Sequence, residues 1–169
     1  SLNHAIAAST LSFPKAHIAI AGVVEDQLQS GLAAVTVEDA FKNALFRARR
    51  EDAAAGRTLS GTHRSEMRVT HLEKALPAEA CSTGEQKALL LSMVLAQARA
   101  GAAWKQVVPV LLLDEVSAHL DATRKLELFE EICQIGAQAW MTGTDPNFFA
   151  DLVGKAEFFT VENNQIIHG

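Results

Sequence analysis

The sequence has only two cysteines, Cys81 and Cys133, far apart and without CxxC spacing. A disulfide framework is excluded, a zinc site is not expected, and both thiols are expected to be buried in a reduced protein. No apolar run reaches the eighteen or more residues of a membrane helix, and residues 1–10 lack a basic region ahead of an apolar one. No membrane partner and a cytoplasmic location are the resulting expectations. An excess of positive charge is missing as well: 15 basic against 20 acidic residues leave a net charge of -5, so any DNA contact has to be local. Finally, G-x-x-x-x-G-K-[ST] occurs nowhere. Residues 56–63 have the glycine spacing, but Thr62 stands where the phosphate-gripping lysine is needed and no apolar strand precedes it.

What is present suits one buried core, since 169 residues are 49% hydrophobic. The character changes near Gly56, from helical and charged to alternating strand and helix. Before it, residues 13–20 read as an extended piece after Pro14. Residues 37–55 read as an amphipathic helix with Ala40, Phe41, Ala44, Leu45 and Ala48 on one side, ended by Gly56. After it, residues 67–71 alternate as a half-buried strand. Ser82 and Glu85 have capping-box spacing ahead of a helix running to about Ala100, apolar enough to be buried on most sides. Residues 107–113 read as a strand in the middle of a parallel sheet, and residues 122–135 as a helix with Leu126, Phe129, Ile132 and Cys133 inward. Another strand is expected at 138–141, and a hairpin at 158–167 around Asn163 and Asn164. The rhythm is that of an α/β sheet whose functional loops lie at the strands' carboxyl ends.

The chemistry centres on Asp114 and Glu115, which close the apolar run. Adjacent carboxylates at the end of a buried strand repel, and they are costly to desolvate unless a cation or hydrogen bonds compensate. A magnesium ion bound to nucleotide phosphates supplies such a cation in a Walker B arrangement. There the Asp holds the metal and the Glu polarises the attacking water. The plain alternative is a strand that exits into solvent. Upstream, Ser82, Thr83, Gly84, Glu85 and Gln86 put a hydroxyl, a glycine and free backbone donors at a helix start, which suits phosphate oxygens, although a capping box explains them too. Downstream, Ser117, His119 and Asp121 lie in a short polar turn. Thr142, Thr144 and Asp145 follow the next strand, with γ-phosphate sensing and a simple helix cap as the two readings of Thr144 and Asp145. Arg124 and Lys125 open a helix, where cations oppose the dipole and favour an external anion. His63 with Arg64, and Arg47 with Arg49 and Arg50, are either phosphate contacts or solvated surface.

In this order the motifs resemble the C-terminal half of an ABC-type nucleotide-binding domain, with residues 82–86 as signature, 111–115 as Walker B and 117–121 as D-loop. The stretches GRTLSGTHRSEM, CSTGEQKALLLSMVLAQA and PVLLLDEVSAHLD are similar to the RecF family, from about Phe13 to the end of the chain. The resemblance implies an α/β fold: the C-terminal portion of a P-loop-type ATPase head with a mostly parallel sheet and flanking helices in residues 57–169, and a helical lobe remnant in residues 1–56. It implies ATP and Mg2+ as cofactors, with Asp114 as metal ligand and Glu115 as catalytic residue. Nucleotide contacts are implied for Ser82, Thr83, Gly84, Glu85, Gln86, Ser117, His119, Asp121 and Thr144. The implied partners are DNA at single-strand gaps, a second copy in an ATP-dependent homodimer, and a RecR-like recombination mediator. Without a Walker A motif the chain is expected to be a fragment that does not hydrolyse ATP alone. A non-catalytic DNA- or partner-binding module, or the head of another SMC-type or transporter ATPase, stays open on the residues alone.

Overall fold

A computed structural model describes residues 1–105, 108–117 and 120–168. In chain order the elements are α1 (Leu2–Ala8), β1 (Ala16–Ala21), α2 (Val23–Gln29), α3 (Ala34–Ala55), β2 (Glu66–His71), β3 (Leu76–Pro77), α4 (Thr83–Lys105), β4 (Leu111–Leu113), α5 (Ala122–Ile135), β5 (Ala139–Met141), β6 (Phe159–Glu162) and β7 (Gln165–His168). Turns of 3-10 helix lie at Thr62–Arg64, Ala78–Ala80 and Pro146–Leu152. The strands form sheets of order β1-β2-β3, β4-β5 and β6-β7. By its contacts the chain divides into two units, Ser1–Ala16 with His71–Gly169, and His17–Thr70.

In the unit of residues 17–70, α2 packs on α3. Gly56 ends α3 in the left-handed region (φ 64°), which a glycine enters without a Cβ penalty. The expected apolar stripe is only half realised: Phe41, Leu45 and Ala48 are half-buried, while Ala40 and Ala44 are exposed. Lys42 pairs with Glu38, and the Arg49 guanidinium lies 5.1 Å from the centroid of the exposed Phe46 ring.

The other unit holds the main core, in which Ala88, Leu95 and Ala98 of α4 meet Leu111 and Leu113 of β4 and Leu128, Phe129 and Ile132 of α5. Ile6 of α1 is fully buried, and α1 packs on α4. An ion pair between the exposed Arg99 and the almost wholly enclosed Glu131 ties α4 to α5. Helix α4 runs past Ala100 to Lys105 and is not enclosed on most sides, since Leu90 and Trp104 face outward.

Three expectations need correction. The strand expected over 107–113 covers only Leu111–Leu113; Val107 lies outside the described residues, and Pro109 lacks the donor a ladder needs. Among the described residues β4 pairs with β5 alone. Leu111 and Leu113 point into the core while Leu112 between them is 78% exposed, beside Trp140. In α5 the buried arc is rotated toward Leu128, so Leu126 and Cys133 lie on the outer flank of Phe129. Cys133 is exposed, contrary to expectation, whereas Cys81 is buried. The terminal hairpin forms as expected, with Asn163 and Asn164 both at positive φ (49° and 60°), as a turn matched to strand twist requires.

The start of α4 is a reciprocal capping box. The Ser82 N–H donates to Glu85 Oε2 (2.9 Å), the Glu85 N–H donates to Ser82 Oγ (3.4 Å), and the two side chains bond at 3.0 Å. Lys74, in the turn after β2, pairs with the same carboxylate. The Lys74 ammonium first, and then the two Ser82 bonds, hold the Glu85 carboxyl at about 2.

Two outcomes follow. Leu128→Ala lowers stability by about 3 kcal/mol in urea unfolding, whereas Leu126→Ala costs less than about 1 kcal/mol. The Glu85 contribution is present above its ordinary value of 4.5 and is lost as pH falls through about 2. The gap in urea midpoint between the native chain and Glu85→Gln is therefore constant at neutral pH and closes across that acid window.

Candidate functional site

Parallel pairing of β4 and β5 sets the register Leu111↔Ala139, Leu112↔Trp140 and Leu113↔Met141. Asp114 and Thr142, the next residue on each strand, therefore leave the sheet at one level. The backbone stays tied beyond the strands: the Thr142 N–H donates to Leu113 O (3.0 Å) and the Val116 N–H to Thr142 O (3.1 Å). Between these bonds the Thr142 hydroxyl accepts from the Glu115 N–H (2.8 Å) and donates to Asp114 Oδ1 (2.5 Å), a separation normal for a hydroxyl on a carboxylate. Glu115 sits at φ 46°, in the left-handed region that side chains other than glycine avoid.

Asp114 and Glu115 are both exposed, in a turn rather than inside the strand. Solvent and the Thr142 hydroxyl compensate their charges here, so the pair does not by itself demand a cation. The donor set still suits one kind of metal. Among the described residues no group of three or more His, Cys, Asp or Glu could cage an ion. Magnesium keeps several waters and takes one or two carboxylates plus substrate phosphates. Asp114, exposed and with only Oδ1 held by a hydrogen bond among the described residues, fits such a metal.

Ser117 is half-buried against the loop after β5. A Cβ on Gly143 would come within 2.8 Å of Ser117 Oγ and 3.0 Å of the Phe149 ring, so only glycine lets this loop pass. Asp121 caps α5, accepting from the Arg124 N–H (2.8 Å) and lying 3.6 Å from the Arg124 guanidinium. His119 lies outside the described residues. Thr144 is exposed, and Asp145 caps the turn at Pro146–Leu152 by accepting from the Asn147 N–H (3.0 Å). Lys125 pairs with Asp151 and stands over the Phe148 ring, so an internal carboxylate meets the anion requirement expected from outside. His63 lies near Thr58 O (3.2 Å) in the exposed turn of Thr62–Arg64, and Arg64 is exposed beside it.

Ser82 and Thr83 are exposed at the head of α4, and Gly84 is half-buried. The Gln86 amide donates back to Cys81 O (3.0 Å) and Glu79 O (3.4 Å). The side-chain bonds of Ser82, Glu85 and Gln86 thus end within residues 74–86, away from Asp114 and Glu115, and the Ser82 hydroxyl is committed to its own helix. Sequence reasoning placed Thr142 after a strand without seeing its partners. The parallel register was the signal that sets it opposite Asp114.

No protein-family model matches the chain. It is 48% identical over 154 residues to the DNA replication and repair protein RecF of Mesorhizobium japonicum, covering 91% of this chain and 40% of that protein. The RecF proteins of Allorhizobium ampelinum (46% over 155 residues, covering 92% and 41%) and Agrobacterium fabrum (47% over 159 residues, covering 94% and 42%) are similarly related. The chain therefore spans about two fifths of the length of the curated relatives it matches. A solved structure of the recombination mediator protein RecF-ATPrS in the RecFOR pathway superposes with a TM-score of 0.65 at 18% identity, covering 99% of this chain and 43% of that one. A second, of RecF-ATP, gives 0.65 at 17%, covering 99% of this chain and 43% of that one. The superposition shows the α/β fold to be shared with part of those RecF chains. On sequence the chain belongs to the RecF family, matching the C-terminal part of its members.

Proposed function

We propose that this chain supplies the Walker B, signature and D-loop residues of a RecF-type DNA replication and repair ATPase. The observation that carries the reading is the meeting of Asp114, Glu115 and Thr142 at the ends of two parallel strands, in a chain 46–48% identical to RecF proteins. The structural relative with bound ATP supports a nucleotide as ligand.

Asp114 would hold magnesium with one carboxylate, through the oxygen that Thr142 leaves free, and the metal would supply positive charge beside the nucleotide phosphates. Glu115, exposed beside it, orients the attacking water and accepts its proton. The Ser82 hydroxyl and the first-turn amides of Thr83 and Gly84, which have no acceptor within α4, donate to phosphate oxygens of a nucleotide held by a facing copy. Glu85 and Gln86 shape that helix start; Ser117, His119, Asp121 and Thr144 line the shared boundary. Separation of the 82–86 bonds from Asp114 and Glu115 favours this division of labour between two copies.

In the protein at the length of its relatives, the reading extends to ATP-dependent homodimerisation, DNA binding at single-strand gaps and partnership with a RecR-like mediator, all in the cytoplasm. Among the described residues no helix is long and apolar enough to cross a membrane.

In that longer protein Glu115→Gln accumulates ATP-bound dimers, seen by light scattering, because binding survives while the water loses its base; unchanged turnover overturns the assignment. Glu115→Gly likewise abolishes turnover. It leaves stability unchanged or raised by about 1 kcal/mol in thermal melts, since glycine relieves the left-handed strain but adds freedom to the unfolded chain. A clear loss of stability in Glu115→Gly shows instead that the side chain serves the fold.

A further inference from the structure

We infer that Thr142 is the positioning residue of the Asp114–Glu115 pair. Its hydroxyl decides which oxygen of Asp114 remains for a cation and holds the Glu115 backbone in place. One oxygen atom makes two bonds of opposite sense here, accepting from the Glu115 N–H (2.8 Å) and donating to Asp114 Oδ1 (2.5 Å). A hydroxyl can do both; a carboxylate cannot donate, an ammonium cannot accept, and a methyl does neither. The first bond fastens a residue whose φ of 46° a side chain does not adopt unassisted. The second occupies Oδ1 and leaves Oδ2 of this exposed residue without a hydrogen bond among the described residues.

The backbone of Thr142 closes the arrangement. Its N–H donates to Leu113 O (3.0 Å) and its carbonyl accepts from the Val116 N–H (3.1 Å), so a single residue grips positions 113, 114, 115 and 116. Gly143 extends the grip to the next residue, since its missing Cβ admits Ser117 Oγ. The dipeptide after β5 therefore braces the whole turn after β4. The consequence for turnover rests on the ATPase reading above, whereas the geometric claim does not.

The test compares Thr142→Val and Thr142→Ser. In the 169-residue chain, amide hydrogen exchange at Glu115 rises about tenfold in Thr142→Val and stays near native in Thr142→Ser, with Leu89 in α4 as the internal reference. Unchanged Glu115 exchange in a folded Thr142→Val overturns the inference whatever the turnover. Should the valine variant not fold, Thr142→Ala carries the same comparison. In the protein at its relatives' length, Thr142→Val lowers kcat by about 10- to 100-fold and raises the magnesium chloride concentration for half-maximal turnover, with ATP affinity unchanged; Thr142→Ser restores both. If Glu115→Gln abolishes turnover while Thr142→Val does not, the positioning role is overturned and the ATPase reading stands. If Glu115→Gln has no effect, the ATPase reading fails and the exchange result alone decides the role of Thr142.

Discussion

Parallel pairing of two three-residue strands governs this molecule. In an antiparallel pair the carboxyl end of one strand meets the amino end of the other, and Asp114 would face the start of β5. Parallel register instead brings both exits to one edge, so that a threonine distant in sequence reaches the Asp114 carboxylate and the Glu115 N–H together. The core beneath is arranged to keep that edge still. Leu111 and Leu113 are anchored between α4 and α5, and Phe129, Phe148 and Phe149 pack edge-on and stacked below the loop that follows β5. On the outward face of the same strands Leu112 is exposed and Trp140 stacks on Phe159 of β6.

The head of α4 works by a different economy of charge. A helix start favours anions, and here the anion is internal: Glu85 satisfies the Ser82 amide and is itself balanced by Lys74. An incoming phosphate thus meets a hydroxyl already bonded and a carboxylate already neutralised. It must compete with the first and is not repelled strongly by the second. Capping the helix and presenting donors to a ligand are two uses of the same atoms, and the resting chain shows the first.

Much of this was legible because local rules and tertiary structure agree. The capping box, the glycine that ends α3, the asparagine pair in the terminal hairpin and the bounds of α5 all depend on neighbours within a few residues. The order of the motifs carried the family for the same reason, being written along the chain. Three things were not legible. The rotation of α5 depends on which side its neighbours occupy, so a stripe drawn through Leu126 and Cys133 was as periodic as the one actually buried. The exposure of Leu112 depends on how many strands flank β4, which an apolar run does not encode. The bonds of Thr142 depend on a register 28 residues away from Asp114. Lys125 misled for a related reason: its partner Asp151 lies beyond the helix it opens.

The path of the chain between Lys15 and Leu72 sets one segment apart from the main core. The chain leaves one unit after Ala16 and returns at His71, and the Leu72 N–H donates to Lys15 O at 2.9 Å. The two ends of the intervening segment are thus pinned together by a main-chain bond, and every residue of the principal core lies outside it. In topological terms residues 17–70 are an insertion with a closed neck. Asp114, Glu115 and Thr142 lie outside the pinned segment as well, so the loop that leaves and re-enters at this neck carries none of the residues that meet at the ends of β4 and β5.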